Sequence, residues 1–168
     1  MLVKKEKVMR TIISVVTASV ILVLAGVATP VNGHKAHVIT ELKEAAWGPA
    51  PPMLPPGAQI AVLAGNPTQP TAYTIRLKFP ANYAIPAHSH PTDENVVVLS
   101  GAVTFGMGDK LMKTTSNKTL TVGGFALMPA DMNHFAYTTQ ESTIILFGQG
   151  PVEFRYVNPA DDPRSAKE

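Results

Sequence analysis

The 168-residue sequence contains no cysteine. This absence excludes disulfides, thiolate zinc sites, a cysteine nucleophile and a lipid-modified N-terminal cysteine. Charged residues make up only 15% of the chain and hydrophobic residues 45%, which is a composition of globular rather than disordered proteins. The 15 prolines and 12 glycines, with few helical patterns, favour short strands joined by turns, and the length suits one domain.

The chain also lacks a basic surplus outside its N-terminus. Residues 1–28 hold four basic side chains and one acidic side chain, a balance of +3. Residues 29–168 hold 10 basic and 11 acidic side chains, a balance of −1. Because nucleic-acid binding depends on neutralising many phosphates, this charge distribution excludes nucleic acid as an expected partner.

The basic N-terminus is followed by an uncharged apolar run over residues 11–28. This order is typical of a secretory signal peptide, and the small residues Gly26 and Ala28 provide an acceptable cleavage site. The run is about 18 residues long, which also suffices for a tilted membrane helix. We therefore predict a protein exported to the periplasm or secreted, with a signal peptide (or uncleaved anchor) over residues 1–28. A membrane is a partner only if the leader is uncleaved.

The remaining chain divides into an arm, a strand-rich body and a tail. Residues 29–58 are interpreted as a Pro-rich arm that runs over the surface, with a short helix expected over residues 34–47. Residues 158–168 form a polar C-terminal tail that we expect to be loose. The body, residues 59–157, is predicted to contain ten strands: 59–64, 71–79, 84–90, 94–100, 102–107, 119–122, 125–128, 133–138, 142–147 and 152–157. Many short, evenly spaced strands favour a sandwich or small barrel and exclude an alternating parallel α/β sheet.

Four residues of the body form a pattern with metal-ligating chemistry. Alternate residues of a strand share a face, so His88 and His90 point the same way, and Glu94 lies at an even offset from His90. His134 opens a later strand after a Gly- and Pro-containing turn. Any one of these histidines alone is more often an ordinary surface or core residue. Three nitrogen donors and one oxygen donor together suit Fe, Mn, Ni, Cu or Zn better than Ca or Mg.

These residues resemble the two sequence motifs of the cupin superfamily. The first motif, His-x-His, three or four residues, Glu, six residues and Gly, is matched by His88, His90, Glu94 and Gly101, although Asn82 replaces the leading Gly. The second motif is matched by Gly123, Pro129 and His134, with Asp131 and Thr138 where the family has Gly and Asn. The resemblance covers about residues 59–157 and extends to short exported single-domain bacterial cupins of unassigned activity.

The resemblance implies an all-β fold: a single-domain cupin-type jelly-roll β-barrel, preceded by the N-terminal signal or anchor segment. It also implies a divalent transition metal, with Fe or Mn favoured and Ni, Cu and Zn as alternatives, at the bottom of an open pocket. By analogy, the ligands are His88, His90, Glu94 and His134. Fold resemblance does not give the reaction.

Three functions stay open at this stage. The first is a metal-dependent oxidoreductase, dioxygenase-like, acting on a small oxygen-bearing organic substrate, with Glu94 as a ligand or a catalytic base. The second is a redox-silent isomerase, lyase or hydrolase, in which the metal polarises a carbonyl or a water. The third is a non-catalytic module that binds or senses a metal or small ligand. The weakly charged sheet edges also make a homodimer an expected partner.

Side-chain parity adds candidates for the pocket, although apolar alternation in a barrel more usually indicates core packing. Val96 and Val98 share the face of Glu94, and Met132 and Thr138 share the face of His134. Phe105 and Met107 alternate on another strand, whereas Phe135 and Tyr137 have the opposite parity to His134 and are expected to pack elsewhere. Asp131 is a candidate proton acceptor, although a turn-forming role suits it better.

Overall fold

The computed structural model describes residues 38–165, and this part of the chain is all-β apart from two 3₁₀ turns, Leu42–Glu44 and Pro159–Asp161. We number its strands in chain order. They are β1 (Gly48–Pro49), β2 (Gln59–Ala64), β3 (Ala72–Phe79), β4 (Ala84–Ser89), β5 (Glu94–Ser100), β6 (Ala102–Met107), β7 (Lys118–Thr121), β8 (Phe125–Met128), β9 (His134–Thr138), β10 (Ser142–Gln149) and β11 (Arg155–Tyr156). The predicted all-β class is confirmed, and nine of these strands follow the sequence prediction closely.

The strands form two antiparallel sheets that enclose one apolar core. The first sheet has the order β1-β2-β3-β10-β5-β8, and the second has the order β11-β4-β9-β6-β7. From β3 to β6 successive strands alternate between the two sheets, which is the connectivity of a jelly roll. The core side chains come from both inner faces, and they include Ile75, Leu77, Phe79, Ile85, Val96, Val98, Val103, Phe105, Ile144 and Leu146.

The sequence of β5 shows why this arrangement forms. Glu94, Val96 and Val98 are buried, while the residues between them are only partly buried, as expected of a strand with one face on the core. The strand ends at a turn in which Gly101 adopts φ of 71°, a left-handed conformation that favours glycine. The turn sends the chain into β6 of the other sheet, so β5 enters the barrel with Glu94 at its start.

The Pro-rich segment is part of the barrel, contrary to the surface arm that we expected. Gly48 pairs with Ile60 in the first sheet, and Leu54 and Ala58 belong to the buried core. Prolines can occupy an edge strand because an edge does not need every backbone N–H. The sheet therefore begins before residue 59, and Pro51 to Gly57 close one side of the core.

The helix expected over residues 34–47 is wrong for its described part, residues 38–47, which contains only the 3₁₀ turn Leu42–Glu44. Val38 and Ile39 are 55% and 95% exposed, so they add no packing, and a short helix without packing is marginal. The leader, residues 1–28, and the start of the arm lie outside the described residues.

The tail is better fixed than we expected, up to residue 165. Asn158 caps the second 3₁₀ turn, and the Arg164 guanidinium donates a 2.9 Å hydrogen bond to the Phe154 carbonyl. Between residues 38 and 165, no helix has both the length and the apolar character needed to cross a membrane.

Candidate metal centre

The two sheets bring all four predicted ligand residues to one end of the barrel. His88 lies near the end of β4, His90 follows that strand directly, and His134 opens β9. The antiparallel pairing of β4 with β9 places His88 opposite His134. Glu94 opens β5 in the facing sheet, so the centre draws on both layers of the jelly roll.

The side chains converge on one point. The three histidines each offer a ring nitrogen within 4.8 Å of the others, an arrangement that could hold a metal ion. Glu94 Oε1 lies 3.4 Å from His90 Nε2, and Glu94 Oε2 lies 3.7 Å from His134 Nε2. All four residues are buried, with exposed fractions of 7% or less. The geometry thus adds a carboxylate beside the three imidazoles.

Hydrogen bonds to backbone carbonyls fix the tautomer of each imidazole. Nδ1 lies 2.7 Å from the Pro86 carbonyl in His88, 2.6 Å from the Glu153 carbonyl in His90 and 3.0 Å from the Met132 carbonyl in His134. A carbonyl oxygen can only accept, so each Nδ1 carries the proton and donates. Each Nε2 therefore keeps its lone pair, which is the arrangement that metal-binding histidines usually have.

One of these lone pairs is left without a partner. Among the described residues, His90 Nε2 is fully buried and makes no hydrogen bond. An unsatisfied buried polar atom costs about 1–3 kcal/mol, so an acceptor in this position needs an explanation. A cation between the three imidazoles and Glu94 satisfies it, and the residues present fit a bound metal on this ground.

Burial and mutual repulsion set the charges of the centre. The pKa of His88 is lowered from 6.5 to about 3, first by burial and then by the charges of His134 and His90. Burial pushes the pKa of Glu94 upwards, but the electrostatic attraction of His90 and His134 outweighs it, so the pKa is lowered. A neutral His88 and an ionised Glu94 are the states that bind a divalent cation.

A small apolar cavity adjoins the centre inside the barrel. Its volume is about 30 Å³, which is room for roughly one water molecule. The cavity is lined by His88, Glu94 and His134 together with Leu77, Phe79, Ile85, Val96, Val103, Phe105, Ala136, Ile144, Leu146 and Phe154. The apolar wall therefore limits how much water can reach the imidazoles from this side.

Only some of the residues considered by parity line the cavity. Val96 and Phe105 line the cavity, and Phe135 and Tyr137 are buried without lining it. Val98 and Thr138 are also buried but do not line the cavity, and the Thr138 hydroxyl donates a hydrogen bond to the Pro80 carbonyl. Met107 and Met132 are half exposed instead, because Met107 ends its strand and Met132 precedes β9, where strand alternation does not apply. Asp131 lies at the rim, in a turn.

Two contributions from the segment before β11 were not predicted from the sequence. The Glu153 carbonyl holds His90, and the Phe154 ring stacks on His88 with centroids 4.6 Å apart and an interplanar angle of 21°. The pattern VEFRYV predicted a strand over residues 152–157, but only Arg155–Tyr156 forms one, so strand alternation does not apply to Phe154. No residue type signals a backbone carbonyl, so Glu153 could be found only in three dimensions.

Comparison with known proteins agrees with this geometry. A family model described as the ChrR cupin-like domain matches residues 35–153, which is most of the chain. Among curated proteins, no sequence gives a significant match.

Solved structures with a similar fold include several cupins. The polyketide cyclase RemF from Streptomyces resistomycificus has a TM-score of 0.59 and 14% identity, covering 76% of this chain and 90% of that one. A putative acetylacetone dioxygenase from Methylibium petroleiphilum PM1 has a TM-score of 0.58 and 17% identity, covering 77% and 87%. An RmlC-like cupin from Shewanella frigidimarina NCIMB 400 has a TM-score of 0.51 and 14% identity, covering 74% and 96%. At these identities the likeness shows the fold alone.

Proposed function

Since the chain belongs to the ChrR cupin-like domain family, and so to the cupin superfamily, we propose that it is an exported metal-dependent oxidoreductase. The proposed activity is dioxygenase-like, on a small oxygen-bearing organic substrate. The observation that carries the metal is the buried His90 Nε2, which has no described hydrogen-bond partner and faces two further imidazoles and a carboxylate.

His88, His90 and His134 would hold the ion through Nε2, with Glu94 as the fourth donor. Three neutral nitrogens and one carboxylate oxygen suit a divalent transition metal, and we favour Fe or Mn, with Ni, Cu and Zn as alternatives. When bound, such an ion would supply redox and Lewis-acid chemistry at this end of the barrel. Glu94 can also accept a proton at a carboxylate oxygen, because its lowered pKa keeps it ionised.

The substrate needs more room than the inner cavity provides. An open groove of about 370 Å³ between the ends of β6, β7 and β8 shares Phe105 with that cavity, and this volume is in the range of small-molecule sites. Its lining is mainly apolar, and Lys118 is the charged residue among the side chains that form it. Met128, at one end of the groove, lies opposite Glu94 in the pairing of β5 with β8. We therefore place the body of the substrate in this groove.

The first test is metal content. Protein purified from its exported compartment should contain about one transition-metal ion per chain, measured by elemental analysis. His90→Ala and His134→Ala should each reduce this content severely. The matched control is His34→Ala/His37→Ala, which removes two histidines that are not among the proposed ligands and should leave the content unchanged. Metal content unchanged by alanine replacement of all four proposed ligands would refute the site.

The second test separates the reaction classes. Fe- or Mn-loaded protein should consume dioxygen with a screened set of small oxygen-bearing compounds, and the consumption should stop in Glu94→Gln. Turnover that persists without oxygen and with Zn loaded would instead establish a redox-silent isomerase, lyase or hydrolase. Tight ligand binding with no turnover under any of these conditions would establish a binding or sensing module.

A further inference from the structure

The three imidazoles are held in two different ways. His88 and His134 each donate from Nδ1 to the carbonyl two residues earlier in their own strand or turn. His90 donates to the Glu153 carbonyl, 63 residues away, at 2.6 Å. The orientation of His90 therefore depends on a separate segment, residues 150–157, which we call the C-terminal strap. His90 is also the histidine whose Nε2 lacks a partner.

The C-terminal strap reaches the centre through a short ladder. Arg155 pairs with Ser89 and Tyr156 pairs with His88 in the β11–β4 ladder, and the Val157 N–H donates to the Ala87 carbonyl. These bonds begin after Glu153, so none of them fixes the Glu153 carbonyl directly. On the other side of Glu153, the Val152 N–H donates a 2.7 Å hydrogen bond to the Pro67 carbonyl. The strap is thus anchored before and after Glu153, but none of these backbone bonds ties it to the backbone of His90 itself.

Asp131 ties the strap to the backbone of His90. Its backbone N–H donates to the His90 carbonyl at 2.8 Å, and its carboxylate accepts from Arg155 Nη1 at 2.9 Å. Arg155 Nη2 lies 3.5 Å from the Glu153 carboxylate. The contacts form a closed circuit from the His90 ring through Glu153 and Arg155 to Asp131, and back to the His90 backbone.

Asp131 has a backbone conformation that glycine would adopt with the least strain. Its φ of 59° lies in the left-handed region. A glycine would keep the hydrogen bond from its backbone N–H to the His90 carbonyl without this strain. It would lose the hydrogen bond between the carboxylate and Arg155. The chain thus keeps a side chain at a position where the conformation favours having none.

We propose that Asp131 and Arg155 are positioning residues that clamp the C-terminal strap, and with it the Glu153 carbonyl, onto His90. This inference rests on the metal site proposed above. The clamp keeps the His90 Nδ1 proton on the carbonyl and the Nε2 lone pair aimed at the ion. Both side chains are more than half exposed, so as an isolated ion pair they would contribute only about 0–1 kcal/mol to stability. Their role is therefore distinguishable from stabilisation of the fold.

The test compares Zn²⁺ binding and imidazole N–H signals in Asp131→Asn, Arg155→Met and the double variant. Asparagine tolerates the left-handed backbone, so Asp131→Asn removes the charge with little added strain. In protein labelled with ¹⁵N-histidine, the His90 Nδ1–H signal should exchange faster with solvent, while the His88 and His134 signals stay unchanged. Zn²⁺ affinity, measured by competition with a chelator, should fall by about tenfold in each single variant. The double variant should bind Zn²⁺ no more weakly than the single variant with the lower affinity, because both changes break the same contact between Asp131 and Arg155.

The matched control is Asp109→Asn, which removes another carboxylate at this end of the barrel. The Asp109 carboxylate accepts a hydrogen bond from the Asn133 side chain, and among the described contacts it has none with the C-terminal strap. This variant should therefore match the wild type in both Zn²⁺ affinity and the His90 N–H signal. An unchanged His90 signal with Zn²⁺ affinity within about twofold of wild type in both single variants would overturn the clamp. A wild type that binds no metal would instead overturn the proposed function. The N–H exchange in metal-free protein would still report whether Asp131 and Arg155 hold His90.

Discussion

At the scale of single residues, burial decides the charge state of the candidate centre. His88 is 2% exposed and lies beside two other imidazoles, so a proton on its ring is unfavourable. Glu94 keeps its negative charge only because those imidazoles lie close to it. Each group thus has the protonation state that a cation requires, and the cost of burying them is offset when the ion binds.

The depressed pKa of His88 predicts acid sensitivity of the metal-free protein. Below pH 6.5 the unfolded chain takes up a proton on this residue that the folded chain does not bind until about pH 3. The contribution of the neutral, buried His88 to the free energy of unfolding is therefore complete above pH 6.5, and it is lost as the pH falls towards 3. Urea denaturation should show a free energy of unfolding about 1–2 kcal/mol lower at pH 5 than at pH 7.

The control for this pH dependence is His88→Gln, which cannot titrate. Its free energy of unfolding should vary less between pH 7 and pH 5 than that of the wild type. A variant with the same slope as the wild type would show that other groups cause the acid sensitivity.

At the scale of secondary-structure elements, close packing between strands positions the ligands. Gly106 in β6 lies opposite Phe135 in β9, directly after His134. A Cβ at Gly106 would overlap the Phe135 ring and lie 2.7 Å from Asn117 Oδ1. The absence of a side chain there lets Phe135 fill the gap, and this fixes the start of β9.

We predict that Gly106→Ala destabilises the protein by about 2–3 kcal/mol, since the added methyl group forces the Phe135 ring to move. Thermal denaturation monitors the loss, and Zn²⁺ affinity should fall as well because His134 precedes Phe135. Gly48→Ala is the control, as nothing lies within 4 Å of its Cβ position. Equal melting temperatures for the two variants would contradict the packing argument.

The C-terminal strap has a second packing role through Phe154. Its ring stacks on His88, and it separates the inner cavity from a second apolar cavity of about 60 Å³. Leu77 and Leu146 also line both cavities. Removal of the ring would therefore merge two voids beside the centre.

Phe154→Ala should accordingly cost about 3–5 kcal/mol of unfolding free energy, measured by denaturant titration. Phe125→Ala provides the comparison, because Phe125 is 55% exposed and should cost about 0.5 kcal/mol or less. A similar loss for both variants would show that Phe154 does not fill the core as described.

At the scale of the whole molecule, the charge pattern separates two parts of the chain. The N-terminal 28 residues carry the positive surplus and the apolar run, whereas the rest is nearly balanced. This division supports export as part of the proposed function. The homodimer predicted from the sheet edges also stays a prediction, which light scattering can check.

Leader cleavage gives a direct whole-molecule prediction. Intact mass of the exported protein should correspond to a chain that begins near residue 29, because Gly26 and Ala28 offer a peptidase site. Ala28→Leu should block cleavage and leave the protein in the membrane fraction. A wild-type protein of full mass that sediments with membranes would establish the uncleaved anchor instead.

Local patterns in the sequence were sufficient to predict the strands and the candidate donors. Alternation over ENVVVLS and turn residues such as Gly101 are local signals, so strand bounds were predicted to within a few residues. His88, His90, Glu94 and His134 were identified because histidine and glutamate carry their chemistry in the side chain. Their spacing was enough to predict that they meet.

The surroundings of these donors depend on contacts between segments that are far apart in the chain. The Glu153 carbonyl holds His90, the Pro-rich segment closes the sheet, and Asp131 reaches Arg155 across a turn. None of these contacts has a local signal, because a backbone carbonyl is the same in every residue and a long-range contact depends on how distant segments pack. Sequence periodicity fixes which face a side chain occupies within a strand, but it does not specify which segment covers that face.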